Sequence, residues 1–195
     1  MSQGEASRSR LSIAVGIAAL AAPALHSITD MLEWYQGGFS ATQLWLNYIA
    51  FLPMPWLLLG LYTVRQPRPD VSGLIGALLY GVAFIYFAHT TLYAITEQVP
   101  TYEALWARLG SLYTVHGAFM VLGGLMFARS ALHAGWLPRW PLVLFASGIA
   151  VNLLVALMPA PDMLQTIGST VRNLGLMAMG YGILFKRPHA VVKVW

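Results

Sequence analysis

The sequence predicts an all-α, polytopic membrane protein with six transmembrane helices in three antiparallel hairpins. The first observation is composition, since 58% of the residues are hydrophobic and only 9% are charged, whereas about 25% are charged in a soluble domain. The second is that apolar runs of about 20 residues, the length that crosses a bilayer, recur along the chain. The third is that basic residues collect in alternate connectors, which predicts that both termini are cytoplasmic.

Each apolar run stops at a turn signal or a helix-stop signal. The predicted helices cover about 11–35, 42–64, 71–96, 104–132, 141–159 and 163–186. Residues 1–10 are predicted to form a cytoplasmic N-terminal tail, residues 11–186 the transmembrane domain and residues 187–195 a cytoplasmic C-terminal tail. Pro23 and His26 interrupt the first run and no small-residue cleavage site follows, so we expect a retained helix and not a signal peptide.

Orientation follows from the distribution of basic residues. With the N-terminus inside, nine of the eleven Lys and Arg residues fall on the cytoplasmic side, and only Arg108 and Arg172 do not. Most of the acidic residues fall on the outer side. We therefore expect a multi-pass protein of a cell inner membrane or plasma membrane, with the lipid bilayer as its principal partner.

Several classes of function are excluded at this stage. The chain has no cysteine, which excludes disulfides, thiolate metal sites and thiol nucleophiles. The net charge of +4 comes from short clusters between apolar runs and not from a basic face, so no nucleic-acid partner is expected. The chain has no glycine-rich phosphate loop, no GxSxG elbow and no dinucleotide fingerprint.

Polar residues within a bilayer are costly and usually face other helices. In the predicted topology nearly all of them lie in the outer half. His26, Asp30 and Glu33 follow the spacing that places side chains on one face of a helix. Later helices contribute Asn47, Tyr86, His89, Tyr93, Arg108, His116, Asn152, Arg172 and Asn173. The pattern predicts a polar pocket that opens to the outer side and is closed below by apolar side chains.

These residues are assigned two roles. Acid–base catalysis is assigned to the histidines and carboxylates, namely His26, Asp30, Glu33, His89 and His116. Contact with a polar head group is assigned to Arg172, Asn173, Arg108, Asn47, Asn152, Tyr86 and Tyr93.

Arg172 is the sharpest single signal, because an arginine within the membrane costs at least about 2.5–3.5 kcal/mol and cannot deprotonate. Asp30 and Glu33 are its candidate counter-ions. The structural alternative is a buried ion pair that only holds helices together.

No cofactor is expected, since no helix carries an HExxH or ExxH pair. The alternative is a metal site made by His26, His89 and His116, which would lie at similar depth. Two facing histidines could also ligate a haem. The sequence therefore excludes neither haem nor a divalent metal.

Three functions remain open. The first is a membrane-embedded enzyme of isomerase or cyclase type that acts by acid–base chemistry on a hydrophobic or amphiphilic small molecule. The second is a small-molecule binding or transport protein that uses the same pocket. The third is a non-catalytic accessory subunit of a membrane complex, with an oligomer or a partner subunit. Convergence of the polar residues on one cavity would favour a site, and a packed inner half would count against transport.

Overall fold

A computed structural model describes residues 9–136, 138–158 and 162–185, and these residues form eight α-helices and no strand. The helices are α1 Arg10–Gln36, α2 Ala41–Phe51, α3 Met54–Val64, α4 Val71–Thr96, α5 Tyr102–Leu109, α6 Ser111–His133, α7 Trp140–Leu157 and α8 Asp162–Phe185. The predicted C-terminal tail and residues 1–8 of the predicted N-terminal tail lie outside the described residues.

Five stretches within the described residues are long and apolar enough to cross a membrane. They are α1, the stretch Ala41–Val64 that contains α2 and α3, α4, α6 and α7. The predicted sixth span corresponds to α8, whose 24 residues are long enough but include Gln165, Arg172 and Asn173. The chain therefore has the helices of a membrane protein, while the sixth span and the orientation stay predictions.

Each of two predicted helices is interrupted. The span expected over 42–64 is retained as the apolar stretch Ala41–Val64, whereas the continuous helix expected over 104–132 was wrong. The helix expected over 42–64 is interrupted between α2 and α3, where Pro53 and Pro55 remove backbone donors. The helix expected over 104–132 is interrupted at Gly110, whose φ of 55° and ψ of −131° are not helical. Arg108 consequently belongs to the short helix α5 and not to the long helix α6.

Helix starts are set by polar caps that sequence inspection can recognise. Ser9, Ser40, Asp70 and Thr101 each accept a hydrogen bond from the backbone N–H three residues later. Such side chains satisfy donors that the first turn of a helix leaves unpaired. The starts of α1, α2, α4 and α5 are therefore local properties of the sequence.

The long helices contact one another in a closed circuit. Helix α1 packs on α2 and α3, α4 packs on α3 and on α6, α6 packs on α7, and α7 packs on α8. Helix α8 then packs against α1, so the last helix lies beside the first. This closure brings residues of α1 and α8, far apart in the sequence, to the same place.

Glycines allow the closest of these approaches. A Cβ added at Gly123 of α6 would lie 2.7 Å from the carbonyl oxygen of Gly76 in α4. A Cβ at Gly148 of α7 would lie 2.6 Å from the Cα of Arg172 in α8. Small residues are used in this way where helices of membrane proteins pack backbone to backbone.

The helices enclose a core of large, mostly apolar side chains. Its fully buried large side chains are Met54, Leu58, Leu61, Tyr80, Phe84, Phe127, Trp136, Leu142, Phe145, Ile149, Leu176 and Met179. On the outside, by contrast, the long helices expose large apolar residues such as Ile17, Ile75, Ile85, Leu122 and Leu154. Apolar side chains both inside and outside are typical of helices that contact lipid.

Candidate functional site

An open cavity of about 690 Å³ lies between the helices at the end opposite the packed interior. Residues of α1, α2, α4, α5, α6, α7 and α8 line it. Most of its wall is apolar or aromatic, including Leu44, Phe51, Phe87, Val121 and Leu153. Polar residues of every one of these helices line it, and the contact between α1 and α8 places a polar face of each side by side.

A chain of three polar side chains, Arg172, His26 and Asp30, lies at the floor of the cavity. The Nη2 of Arg172 lies 3.3 Å from the Nδ1 of His26, and the Nε2 of His26 lies 3.3 Å from the Oδ1 of Asp30. A guanidinium group can only donate, so Nδ1 accepts and the proton of a neutral imidazole is on Nε2, from which it is donated to Asp30. The chain therefore links a buried cation to a carboxylate through one histidine of defined tautomer.

Aromatic rings hold this chain in place. The ring of His26 meets the ring of Phe51 edge to face, with 4.7 Å between centroids. The guanidinium carbon of Arg172 lies 5.7 Å from the centroid of the Phe84 ring, which is within the range of a cation–π contact. His26 and Arg172 are only 6% and 2% exposed, so rotation of either side chain would disturb packed neighbours.

Each of the other two nitrogens of Arg172 also has a partner. Its Nε donates to the Oδ1 of Asn173 at 3.4 Å, and its Nη1 lies 3.1 Å from the sulfur of Met120. Asn173 in turn donates to the hydroxyl of Ser27 at 3.0 Å, which ties α8 to α1. Among the described residues no carboxylate oxygen lies within ion-pair distance of Arg172. The predicted direct pair with Asp30 is thus replaced by one relayed through His26.

A second set of hydrogen bonds connects α1 to α2. The hydroxyl of Thr29 donates to the backbone oxygen of His26 at 2.8 Å and to the Oδ1 of Asn47 at 3.1 Å. The amide of Gln43 reaches the backbone oxygen of Thr29 at 3.5 Å. These bonds hold the turn of α1 that carries His26 and Asp30.

Acidic side chains outnumber arginine side chains in the described lining of the cavity. The described lining residues include three carboxyl groups, those of Asp30, Glu33 and Glu103, and a single guanidinium, that of Arg172. Glu33 follows Asp30 by three residues on the same face of α1, and Glu103 lies on α5. The cavity therefore carries excess negative charge when its carboxyl groups are ionised.

Six of the predicted site residues line the cavity: His26, Asp30, Glu33, Asn47, Asn152 and Arg172. Asn173 is completely buried beside it and supports Arg172. Asn152 donates to the hydroxyl of Ser169 at 3.2 Å, and both residues are buried at the cavity wall.

The other five predicted residues lie elsewhere. His89 and Arg108 are exposed at the surface of α4 and α5. His116 is buried outside the cavity lining, and the exposed Tyr86 stacks on its ring with 4.0 Å between centroids. Tyr93 packs against the small apolar cluster that contains Leu44 and Leu105. These five residues were predicted at the depth of the polar pocket, but none of them lines the cavity.

The positions of the histidines and carboxylates bear on metal ligation. No group of three or more His, Asp or Glu side chains that could hold an ion occurs among the described residues. The three predicted histidines are separated accordingly, since His26 lies at the cavity floor while His116 stacks on Tyr86.

Sequence reasoning missed residues that build the site without reacting. Phe84 and Met120 contact Arg172, and Ser27, Thr29 and Gln43 hold α1 against α8 and α2. Thr29 and Gln43 are almost fully buried. The signal that could have indicated Ser27, Thr29 and Gln43 is a polar side chain within an otherwise apolar helix, whereas nothing in the sequence distinguishes Phe84 and Met120 from other apolar residues.

Comparisons with protein-family models, curated proteins and solved structures find no match to this chain.

Proposed function

We propose that this chain is a membrane-embedded enzyme of isomerase or cyclase type that acts on a hydrophobic or amphiphilic small molecule held in the cavity. The observation that supports the proposal is the chain Arg172–His26–Asp30 at the floor of a large, mostly apolar cavity. A carboxylate with an oriented histidine partner is suited to proton transfer, and a fixed guanidinium is suited to a polar head group.

The proposed step uses these residues in distinct ways. Asp30 accepts a proton from a carbon of the substrate, and the electron pair of that C–H bond moves toward an oxygen that receives a hydrogen bond from Arg172. Asp30, whose side chain is also accessible to solvent, then gives a proton to a different carbon, or the rearranged electron pair closes a ring before a proton returns. No electron is gained or lost overall, so the step requires no redox cofactor.

His26 is a positioning residue in this scheme, because hydrogen bonds occupy both of its ring nitrogens. It fixes the orientation of the Asp30 carboxylate and connects it to the positive charge of Arg172. Asp30 lines the cavity, and its side chain is 15% exposed. Of Arg172, His26 and Asp30 it is therefore the most accessible to solvent and to a ligand in the cavity.

Transport has less support. The residues below the cavity are large, apolar and fully buried, including Met54, Tyr80, Phe145 and Leu176. A transport path would have to open through them. The orientation with both termini in the cytoplasm, and a location in a cell inner or plasma membrane, are part of the proposal and rest on the basic-residue distribution.

The proposal is tested by turnover in reconstituted vesicles. Purified protein would be incubated with a total lipid extract of the host cells, and chromatography with mass spectrometry would search for a compound that converts to an isomer of the same mass. We expect conversion by the wild type and a loss of at least about 100-fold in Asp30→Asn, the scale of general acid–base catalysis. Glu97→Gln removes an exposed carboxylate outside the cavity and is the matched control. Conversion that is equal in wild type and Asp30→Asn would refute the proposal.

A further inference from the structure

The cavity has an opening on the side of the molecule between α6 and α7. These helices contact each other near Gly124, where an added Cβ would lie 3.3 Å from the Cζ of Phe145. Beyond that contact both helices line the cavity, Val121 from one side and Leu153 from the other. The helices therefore pack together at the cavity floor and leave space between them above it.

Small residues border this opening, which we call the lateral gap and define by Thr114, Gly117, Ala118, Ala156 and Leu157. All five line the cavity, and all except the half-buried Gly117 are exposed on the molecular surface. A Cβ added at Gly117 would meet no atom within 4 Å. Apart from Leu157, the edges of the gap carry little side-chain bulk that would block it.

The surface around the lateral gap is apolar. Leu112, Val115, Leu122 and Leu154 are between 46% and 56% exposed and belong to the same two helices. Outward-facing leucine and valine on long apolar helices form the surface that lipid chains contact. A molecule that leaves the lipid sideways would therefore reach the cavity without crossing water.

Charge restricts which molecules the cavity accepts. Asp30 and Glu103 alone place two carboxyl groups against the one guanidinium of the described lining, so an anionic ligand would be repelled more than it is attracted when they are ionised. The three partners already described occupy three of the five N–H donors of Arg172, and a neutral carbonyl or ether oxygen would supply an acceptor for the other two.

We infer that the ligand is a neutral, oxygen-bearing lipophile that reaches the cavity from the lipid through the lateral gap, with its oxygen directed toward Arg172. The inference rests on the proposed function for the site and adds the substrate class and the route of access. It commits to a membrane-dissolved ligand and not to a water-soluble one.

The test uses a defined probe, the methyl ester of a long-chain fatty acid that carries a photoreactive diazirine on the chain. Protein reconstituted in phosphatidylcholine vesicles would be irradiated with the probe, and adducts would be mapped by peptide mass spectrometry. Adjacent residues give an internal reference, since Val121 and Leu153 line the cavity whereas Leu122 and Leu154 face outward. We expect adducts on all four residues of the wild type.

Blocking the lateral gap should separate the two classes of adduct. In Gly117→Phe, adducts on Val121 and Leu153 should fall at least about 10-fold while those on Leu122 and Leu154 persist, a difference equivalent to about 1.4 kcal/mol. Val115→Phe, which adds bulk on the same helix outside the cavity lining, should leave both classes unchanged. If Gly117→Phe does not fold, Ala156→Phe blocks the gap from α7.

Two results would overturn the inference. Cavity adducts that survive both blocking variants would show that access does not use the lateral gap. Cavity labelling by the free acid that equals or exceeds labelling by the ester would show that the site does not prefer neutral ligands. Failure here is distinct from failure of the proposed enzyme, because probe labelling requires no turnover and Asp30→Asn should leave cavity labelling by the ester intact.

Discussion

At the scale of single residues, Arg172 has a buried charge whose partners are one histidine, one amide and one thioether. The sequence indicated that such an arginine requires a partner, with Asp30 and Glu33 as candidates. In the structure Asp30 is linked to Arg172 only through the intervening His26. Which residue would stand between them depends on the rotation of α8 relative to α1, and hydropathy does not encode that rotation.

His26→Phe tests the intermediate position. Phenylalanine fills the space of the imidazole between Phe51 and Phe84 but offers no nitrogen to Arg172 or Asp30. We expect turnover to fall by about 10- to 100-fold, the scale of losing a residue that orients a directly acting side chain. We also expect the pH dependence of the residual rate to shift. The measurement is the pH–rate profile of both proteins. An unchanged profile would mean that His26 only fills space.

Asp70 offers a prediction on pH and stability, away from the cavity. Its carboxylate accepts hydrogen bonds from the hydroxyl of Ser130 at 2.5 Å, the hydroxyl of Ser72 at 2.6 Å and the N–H of Gly73 at 3.1 Å. These bonds, that of Ser130 first, lower the pKa of Asp70 from 3.8 to about 2. Because the folded state has the lower pKa, the stabilisation is complete above about pH 4 and disappears as the pH falls toward 2.

The expected consequence concerns thermal unfolding in detergent. Asp70→Asn should have a lower Tm than the wild type at pH 5 to 7, and the two curves should converge as the pH approaches 2. Ser72→Ala, which removes one of the three donors, should have a smaller effect at neutral pH. A difference in Tm that stays constant from pH 7 to pH 2 would contradict the assignment.

At the scale of the helices, close packing depends on where glycine occurs. Gly123 and Gly117 lie on α6, but a Cβ at the first would contact the backbone of α4 and a Cβ at the second would meet open space. The sequence identifies both as small residues and does not distinguish them, since the distinction depends on which face of α6 meets α4.

This contrast gives a paired prediction. Gly123→Ala should destabilise the protein by about 1–3 kcal/mol through overpacking against Tyr80 and Gly76. Gly117→Ala should be neutral or stabilising by up to about 1 kcal/mol, because alanine favours a helix over glycine. Denaturant titration in mixed micelles measures both. Equal effects of the two changes would contradict the close contact between α4 and α6.

Helix boundaries illustrate how far local signals reach. The bounds of α4 agree with the prediction of 71–96, because a capping aspartate precedes the apolar run and the polar residues 97 and 98 follow it. The division at Gly110 was missed, because a single glycine does not by itself end a helix and the non-helical backbone angles of Gly110 separate α5 from α6. For the site, the spacing of residues 26, 30 and 33 indicated one face of α1, whereas Tyr86 and His89 could not be oriented without the neighbouring helices.

At the scale of the whole molecule, the asymmetry predicted from the sequence has a structural counterpart. One end of the helix array holds the cavity and its polar residues, and the interior away from it is packed and apolar. If the basic connectors are cytoplasmic, the cavity faces the outer side.

Orientation can be measured directly because the chain has no cysteine. Gln66→Cys and Glu97→Cys introduce single thiols at exposed positions in connectors at opposite ends of α4. We expect a membrane-impermeant maleimide to label Glu97→Cys in intact cells and Gln66→Cys only after permeabilisation. The reverse pattern would place the cavity on the cytoplasmic side.

The central claim is that Asp30 exchanges a proton with a ligand in the cavity, and deuterium incorporation from heavy water tests it most directly. Vesicles that contain the protein and a lipid extract would be incubated in D₂O, and mass spectrometry would follow the deuterium content of each compound. The account predicts a compound that gains deuterium with the wild type and Glu97→Gln but not with Asp30→Asn. Equal incorporation with Asp30→Asn, or none with the wild type, would contradict it.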